Sequence, residues 1–178
     1  MKKTTFIAFL SGLLILSLFS TCKVLDVNKD VTFTVDLTVN QSGASFDDFE
    51  ILDAVAESSV IDDYQDLLKS IEIKKVEYTV TYFNGPSTQQ INTATLAVSD
   101  VDGNGTEVIG TVSNENLSQL QGVSKELTLN PAGTSRLEDL ILNDPHTAKI
   151  QYYGTADTGP LDFVVQFTIT GTITANPL

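Results

Sequence analysis

Asp100-Val101-Asp102-Gly103-Asn104-Gly105 sets oxygen-bearing side chains at alternate positions, the opening of a calcium loop. In such a loop, oxygens at the first, third and fifth places converge on a hard cation while a glycine permits the sharp turn. An EF-hand would complete the shell with a bidentate carboxylate at the twelfth place, but Thr111 stands there and Glu107 falls at the eighth. The flanks also read as strands rather than helices. Calcium on Asp100, Asp102 and Asn104 is one expectation; the simpler is a hairpin turn, where Asp, Asn and Gly accept left-handed dihedrals.

Other chemistry is short of parts. Cys22 is the only thiol, so neither an intrachain disulfide nor a multi-Cys metal site can form. His146 is the only imidazole, and it follows Pro145 where a surface turn is expected. Ten carboxylates and no Lys or Arg lie between Asp30 and Asp66, densest at Asp47, Asp48 and Glu50. Such a stretch is expected to be a solvated face, the alternative being a second cation site or a docking surface for a basic partner. Two carboxylates about 5 to 9 Å apart could hydrolyse a glycoside, but no strand signature of that chemistry occurs. Tyr153 and Phe83 fall on polar faces, where they would stack on a ligand or cover a seam between strands. No phosphate loop, Gly-x-Ser-x-Gly elbow or His-Glu-x-x-His helix is present.

A net charge of -13 argues against nucleic acid, whose binding needs a cationic surface to displace counterions. The 178 residues, 42% hydrophobic and 19% charged, suit one ordinary domain. Lys2 and Lys3 precede an apolar run from Phe6 to Phe19, and Ser20, Thr21 and Cys22 follow. That order is an export signal, and the run is short for a membrane span of about 20 residues. Leu18-Phe19-Ser20-Thr21-Cys22 resembles the lipobox of bacterial lipoproteins, with Phe19 and Thr21 departing from the usual Leu and Gly or Ala. Relaxed forms of this motif occur in Gram-negative Bacteroidota, and the chain resembles their small β-rich envelope lipoproteins. The resemblance implies that Cys22 is lipidated and that the body is anchored at the outer membrane. Stable anchoring needs more than one acyl chain, which a lipoprotein cysteine would carry.

Strand periodicity dominates the body. Val31, Phe33, Val35, Leu37 and Val39 alternate with polar residues, as do Leu161, Phe163, Val165, Phe167, Ile169 and Ile173. Gly171 sits on the apolar face and marks a bend or close approach. Val76, Tyr78, Val80 and Tyr82 share one face, and the opposite parity of Ile71 and Ile73 predicts a bulge near Lys74-Lys75. Weaker strands run through Ala94 to Val98, Val108 to Val112, Leu127 and Leu129, and Ile150 and Tyr152. Capping boxes at Ser59/Asp62 and Ser135/Glu138 predict two helices, and Asn116 to Gln121 a short helical turn ended by Gly122.

The expected fold is mainly β: a two-sheet antiparallel β-sandwich, immunoglobulin-like by analogy, with two short helical crossovers. Residues 1–21 form the signal peptide, 22–30 a lipidated tether and 31–178 the sandwich. The expected function is a non-catalytic binding, adhesive or structural envelope module, with an envelope protein or polysaccharide as partner. The alternatives are a small carboxylate-based hydrolase and a calcium-dependent binding module.

Overall fold

The computed structural model describes residues 26–176, so the expected signal peptide and Cys22 lie outside the described residues. Among the described residues eight strands form: β1 (Val27–Gln41), β2 (Ser45–Asp53), β3 (Leu68–Phe83), β4 (Gln90–Ser99), β5 (Glu107–Asn116), β6 (Lys125–Glu126), β7 (Thr147–Ala156) and β8 (Leu161–Ala175). They build two antiparallel four-stranded sheets in the orders β1-β8-β3-β6 and β2-β7-β4-β5. The chain is thus the two-sheet sandwich that its alternation predicts.

The pairing is nested. β1 pairs with β8, β2 with β7, β3 with β6 and β4 with β5, as though one long hairpin had been rolled into two sheets. That arrangement is a jelly roll, and it refines the immunoglobulin analogy, whose sheets group ABED and CFG. β1 begins at Val27, inside the stretch expected to be tether, because its pairing with β8 continues to Val27 opposite Ala175.

Alternation places the core. Val31, Phe33, Val35, Leu37 and Val39 are buried on β1, and every second residue of β8 from Leu161 to Ala175 is buried opposite them. Phe163, Phe46, Tyr152, Phe167 and Tyr78 form a row across both sheets, with successive ring centroids 5.1 to 6.5 Å apart. Each fully buried large side chain contributes about 1.5–3 kcal/mol, so this interior is the main source of stability.

The expected bulge is present between Ile73 and Lys75. A second, between Val80 and Tyr82, reverses the end of β3: Tyr82 lies opposite Val164 and is exposed, while Phe83 lies opposite Phe163 and packs on the core. The expected faces of Tyr82 and Phe83 are therefore exchanged, since one extra residue inverts side-chain parity. β2 is absent from the sequence expectation, because Asp48 and Glu50 interrupt the core-facing series Phe46, Asp48, Glu50, Leu52. The segment at Leu127 and Leu129 is not a strand; β6 is confined to Lys125–Glu126, and Leu127 is buried beyond it.

The first crossover holds α1 (Ala54–Glu57) and α2 (Ser59–Tyr64), followed by a 3₁₀ turn at Gln65–Leu67. Ser58, not Ser59, caps α2 by accepting the Ile61 N–H. The expected helical turn is α3 (Leu117–Leu120), with Asn116 outside it as its cap and Gly122 at φ +73° just after it. α4 (Pro131–Leu142) starts four residues before the expected cap. Asn130 caps it and Pro131 takes the first turn, where a missing N–H costs nothing. Ser135 is therefore inside the helix, and Glu138 instead accepts the Ile73 N–H at 2.7 Å, joining α4 to β3.

The start of β1, the end of β8 and the start of β3 meet at one pole, where Val27 and Leu68 both lie opposite Ala175. Both large crossovers are at this helical pole. The opposite pole carries the short loops 42–44, 84–89 and 157–160; Gln89 ties the second to the third, its Nε2 donating to the carbonyls of Thr158 and Pro160 at 2.8 and 3.0 Å.

Gly171 is the close approach that its position predicts, since a Cβ there would sit 2.5 Å from the Glu72 carbonyl oxygen. Gly171→Ala should destabilise the fold by about 1–3 kcal/mol in urea unfolding, because backbone atoms must shift to admit the methyl.

Candidate functional site

The loop between β4 and β5 is a hairpin turn, with Gly103 at φ +87° and Gly105 at φ +62°. Asp100 organises it. Its Oδ1 accepts the N–H groups of Asn104 at 2.7 Å and Asp102 at 3.1 Å. Arg136 of α4 reaches over the same loop, donating to the carbonyls of Gly105 at 3.1 Å and Asn104 at 3.3 Å, with Nη2 4.0 Å from Asp100 Oδ2. The Asn104 N–H foremost, then the Asp102 N–H and the Arg136 guanidinium, hold the Asp100 carboxyl below the usual carboxylate range. The side chain expected to lead a calcium shell thus cinches the turn, beside a fixed positive charge. Among the described residues no three His, Cys, Asp or Glu side chains converge as a metal group.

The acidic stretch is distributed by the strands. Asp30 accepts the Thr172 hydroxyl at 2.8 Å, Asp36 the Gln166 amide at 3.0 Å, and Asp47 the Gln151 amide at 2.5 Å. Asp53 caps α1 through the N–H groups of Val55 and Ala56. Asp48 and Glu50 take the core-facing side of β2 yet escape full burial, because β2 is the edge of its sheet. Glu50 and Glu57 join Thr34, Val35, Asp36, Ile51 and Leu52 around a groove of about 300 Å³ between the edges of the two sheets. A second groove, about 460 Å³, runs between the 100–106 turn and α4 and holds Asp100, Arg136, Asp139 and Asp144.

On the outer face of the β2-β7 pair, Phe49 (51% exposed), Ile51 and Tyr153 form an apolar patch, with Lys149 Nζ 4.1 Å from the Phe49 ring centroid. Tyr153 is exposed, as its parity predicts; Phe49 and Ile51 escaped the sequence reading because β2 did. The charge run hid an alternation that had Phe46 and Leu52 at its ends.

His146 is buried, contrary to the surface turn expected of it. It has φ +59°, and its Nδ1 lies 2.7 Å from the Ile141 carbonyl, which can only accept, so Nδ1 carries the proton. The ring folds back to satisfy a carbonyl that the end of α4 leaves free. Tyr78 is also buried, and its hydroxyl donates to Glu115 at 3.3 Å, the partner of Lys125 at 2.6 Å. Burial first, and the Glu115 charge second, push the Tyr78 phenol up to about 12.

No family model matches the chain, and no curated protein matches it. Among solved structures, the decameric BFDV capsid protein has 10% identity and a TM-score of 0.40, over 84% of this chain and 99% of that one. A structure of turnip yellow mosaic virus has 12% identity and a TM-score of 0.39, over 87% and 95%. Desmodium yellow mottle tymovirus has 10% identity and a TM-score of 0.33, over 85% and 90%. Likeness at this level carries nothing about role; the jelly roll here rests on strand order.

Adding millimolar calcium should leave the melting temperature unchanged in calorimetry, because a ligand selective for the folded state would raise it. High pH should destabilise the fold. The folded state keeps the Tyr78 proton to about pH 12, whereas an unfolded tyrosine releases it near 10, so stability is lost as pH rises through this window. The fall in melting temperature across that window should be shallower in Tyr78→Phe.

Proposed function

We propose that the chain is an exported, lipid-anchored and non-catalytic module of a bacterial cell envelope, held at the outer membrane through Cys22 and acting by binding, adhesion or structural support. The observation that carries this reading is the lipobox-like Leu18-Phe19-Ser20-Thr21-Cys22 at the end of the charged and apolar export signal, and the polarity of the sandwich is compatible with an anchor there. Only Lys23, Val24 and Leu25 separate Cys22 from Asp26, which pairs with Lys69 at 2.5 Å beside the start of β1. Four residue steps span about 14 Å at full extension. An anchor there would hold the helical pole near the bilayer and turn the short-loop pole outward, with both sheet faces free to meet an envelope protein or a polysaccharide.

The interior supports a binding role over a catalytic one. Large apolar side chains fill the space between the sheets, and the grooves described above open at the surface. A general acid among carboxylates needs its pKa raised toward neutrality. Asp100 and Asp157 are both pushed the other way, below the usual carboxylate range, Asp157 chiefly by the Gln90 N–H.

Mass spectrometry of the envelope protein should find a mature N-terminus at a diacylglyceryl-modified Cys22. Globomycin should cause the uncleaved precursor to accumulate, and Cys22→Ser should release the protein from membranes. A mature chain that begins elsewhere and carries no lipid would reject the anchor.

A further inference from the structure

We infer that the outer edge of β1 is a strand-addition site for an extended, basic segment of a partner protein, whose Lys or Arg side chains would enter the acidic groove between β1 and β2. β1 is fifteen residues long and stands at the edge of its sheet. Its pairing with β8 runs from Val27 to Gln41 without a register shift, so no bulge twists the edge away. It contains no proline and one lysine, Lys29, near its start. Among the described residues, no hydrogen bond from outside the β1-β8 ladder reaches a β1 backbone group. α1, α2 and β2 approach β1 without bonding its backbone, so over the part they leave uncovered the strand presents a row of amide donors and acceptors turned away from β8, the template on which strand addition works.

The occupant is set by charge. Beside this edge lies the groove of about 300 Å³ lined by Asp36, Glu50 and Glu57, with no basic side chain. Inward-pointing charges on an edge strand are a device against pairing between copies, and Asp48 and Glu50 serve β2 in that way. A second copy of this chain, with net charge -13, would bring the same carboxylates against them. A strand with Lys or Arg at alternate positions would instead neutralise them while its backbone completes β1, since alternate side chains of an added strand face the same side. The edge is available whether or not Cys22 carries lipid, so failure of either reading leaves the other standing.

The test uses the full-length chain in detergent, with three synthetic peptides each about ten residues long, the length of a long strand. The first alternates lysine with valine, the second is the same peptide N-methylated at alternate amides, and the third replaces lysine with glutamate. In titration calorimetry the first should bind, and the other two should bind at least about tenfold more weakly, having lost strand donors or charge match. Amide exchange followed by NMR should show alternate β1 amides slowed by the first peptide alone. Gln at both Glu50 and Glu57 should weaken its binding roughly three- to tenfold at low salt, the scale of two exposed ion pairs. Failure of the lysine-valine peptide to bind, equal binding of its N-methylated form, or binding without β1 protection would overturn the inference. So would a free chain of doubled mass with β1 amides already protected, which would mean that a second copy holds the edge.

Discussion

The seat of β8 between β1 and β3 is the constraint from which the rest of the sandwich follows. β8 pairs along its whole length with β1 and along most of it with β3, while every second side chain enters the core. A strand hydrogen-bonded on both edges has one register that keeps its apolar face inward, and a slip of one residue would expose Phe163, Phe167 and Ile169 together. With β8 placed, its partners β1 and β3 are placed. The strands between them then reach the second sheet through connections that alternate between the two poles.

Closing the core in this way sends the chemistry outward. The polar side chains of the outer faces are consumed in ladders such as Thr172 with Asp30, Thr174 with Asn28 and Gln166 with Asp36. The polar groups that go inside have structural tasks: His146 on the end of α4, Gln89 between two loops, and Tyr78 against Glu115. What is left for recognition is edge and surface, namely the open side of β1, the acidic groove beside it and the Phe49-Ile51-Tyr153 patch.

The parts legible in sequence were those where a single local rule governs. Alternation marked β1 and β8, the parity change between Ile73 and Val76 marked the first bulge, and Gly171 on an apolar face marked a close approach. Where a distant partner overrides the local rule, the reading failed. β2 was masked because an edge strand tolerates Asp48 and Glu50 on its inner side. Ser135 and Glu138 looked like a cap, yet the packing of α4 against β3 gave Glu138 the Ile73 N–H, and Asn130 with Pro131 began the helix earlier. Asp100, Asp102 and Asn104 have the composition of a cation loop as much as of a hairpin. Arg136, thirty-two residues beyond Asn104 in the chain, takes the carbonyls of that turn.

The sequence by itself determined that this is a sheet protein with one apolar interior, a large surplus of carboxylates, and too few thiols and imidazoles for an intrachain disulfide or a multi-Cys or multi-His metal site. These properties follow from period-two patterning and from counts, which need no knowledge of neighbours. Only the tertiary structure decided that the strands nest as a jelly roll, that β1 is an open edge beside an acidic groove, that Tyr82 and Phe83 exchange faces, and that His146 is buried. Strand order and edge status arise from pairings between strands distant in the chain, Val27 with Ala175 and Ser45 with Thr155 among them, and no local pattern encodes which of several apolar strands a given strand will meet.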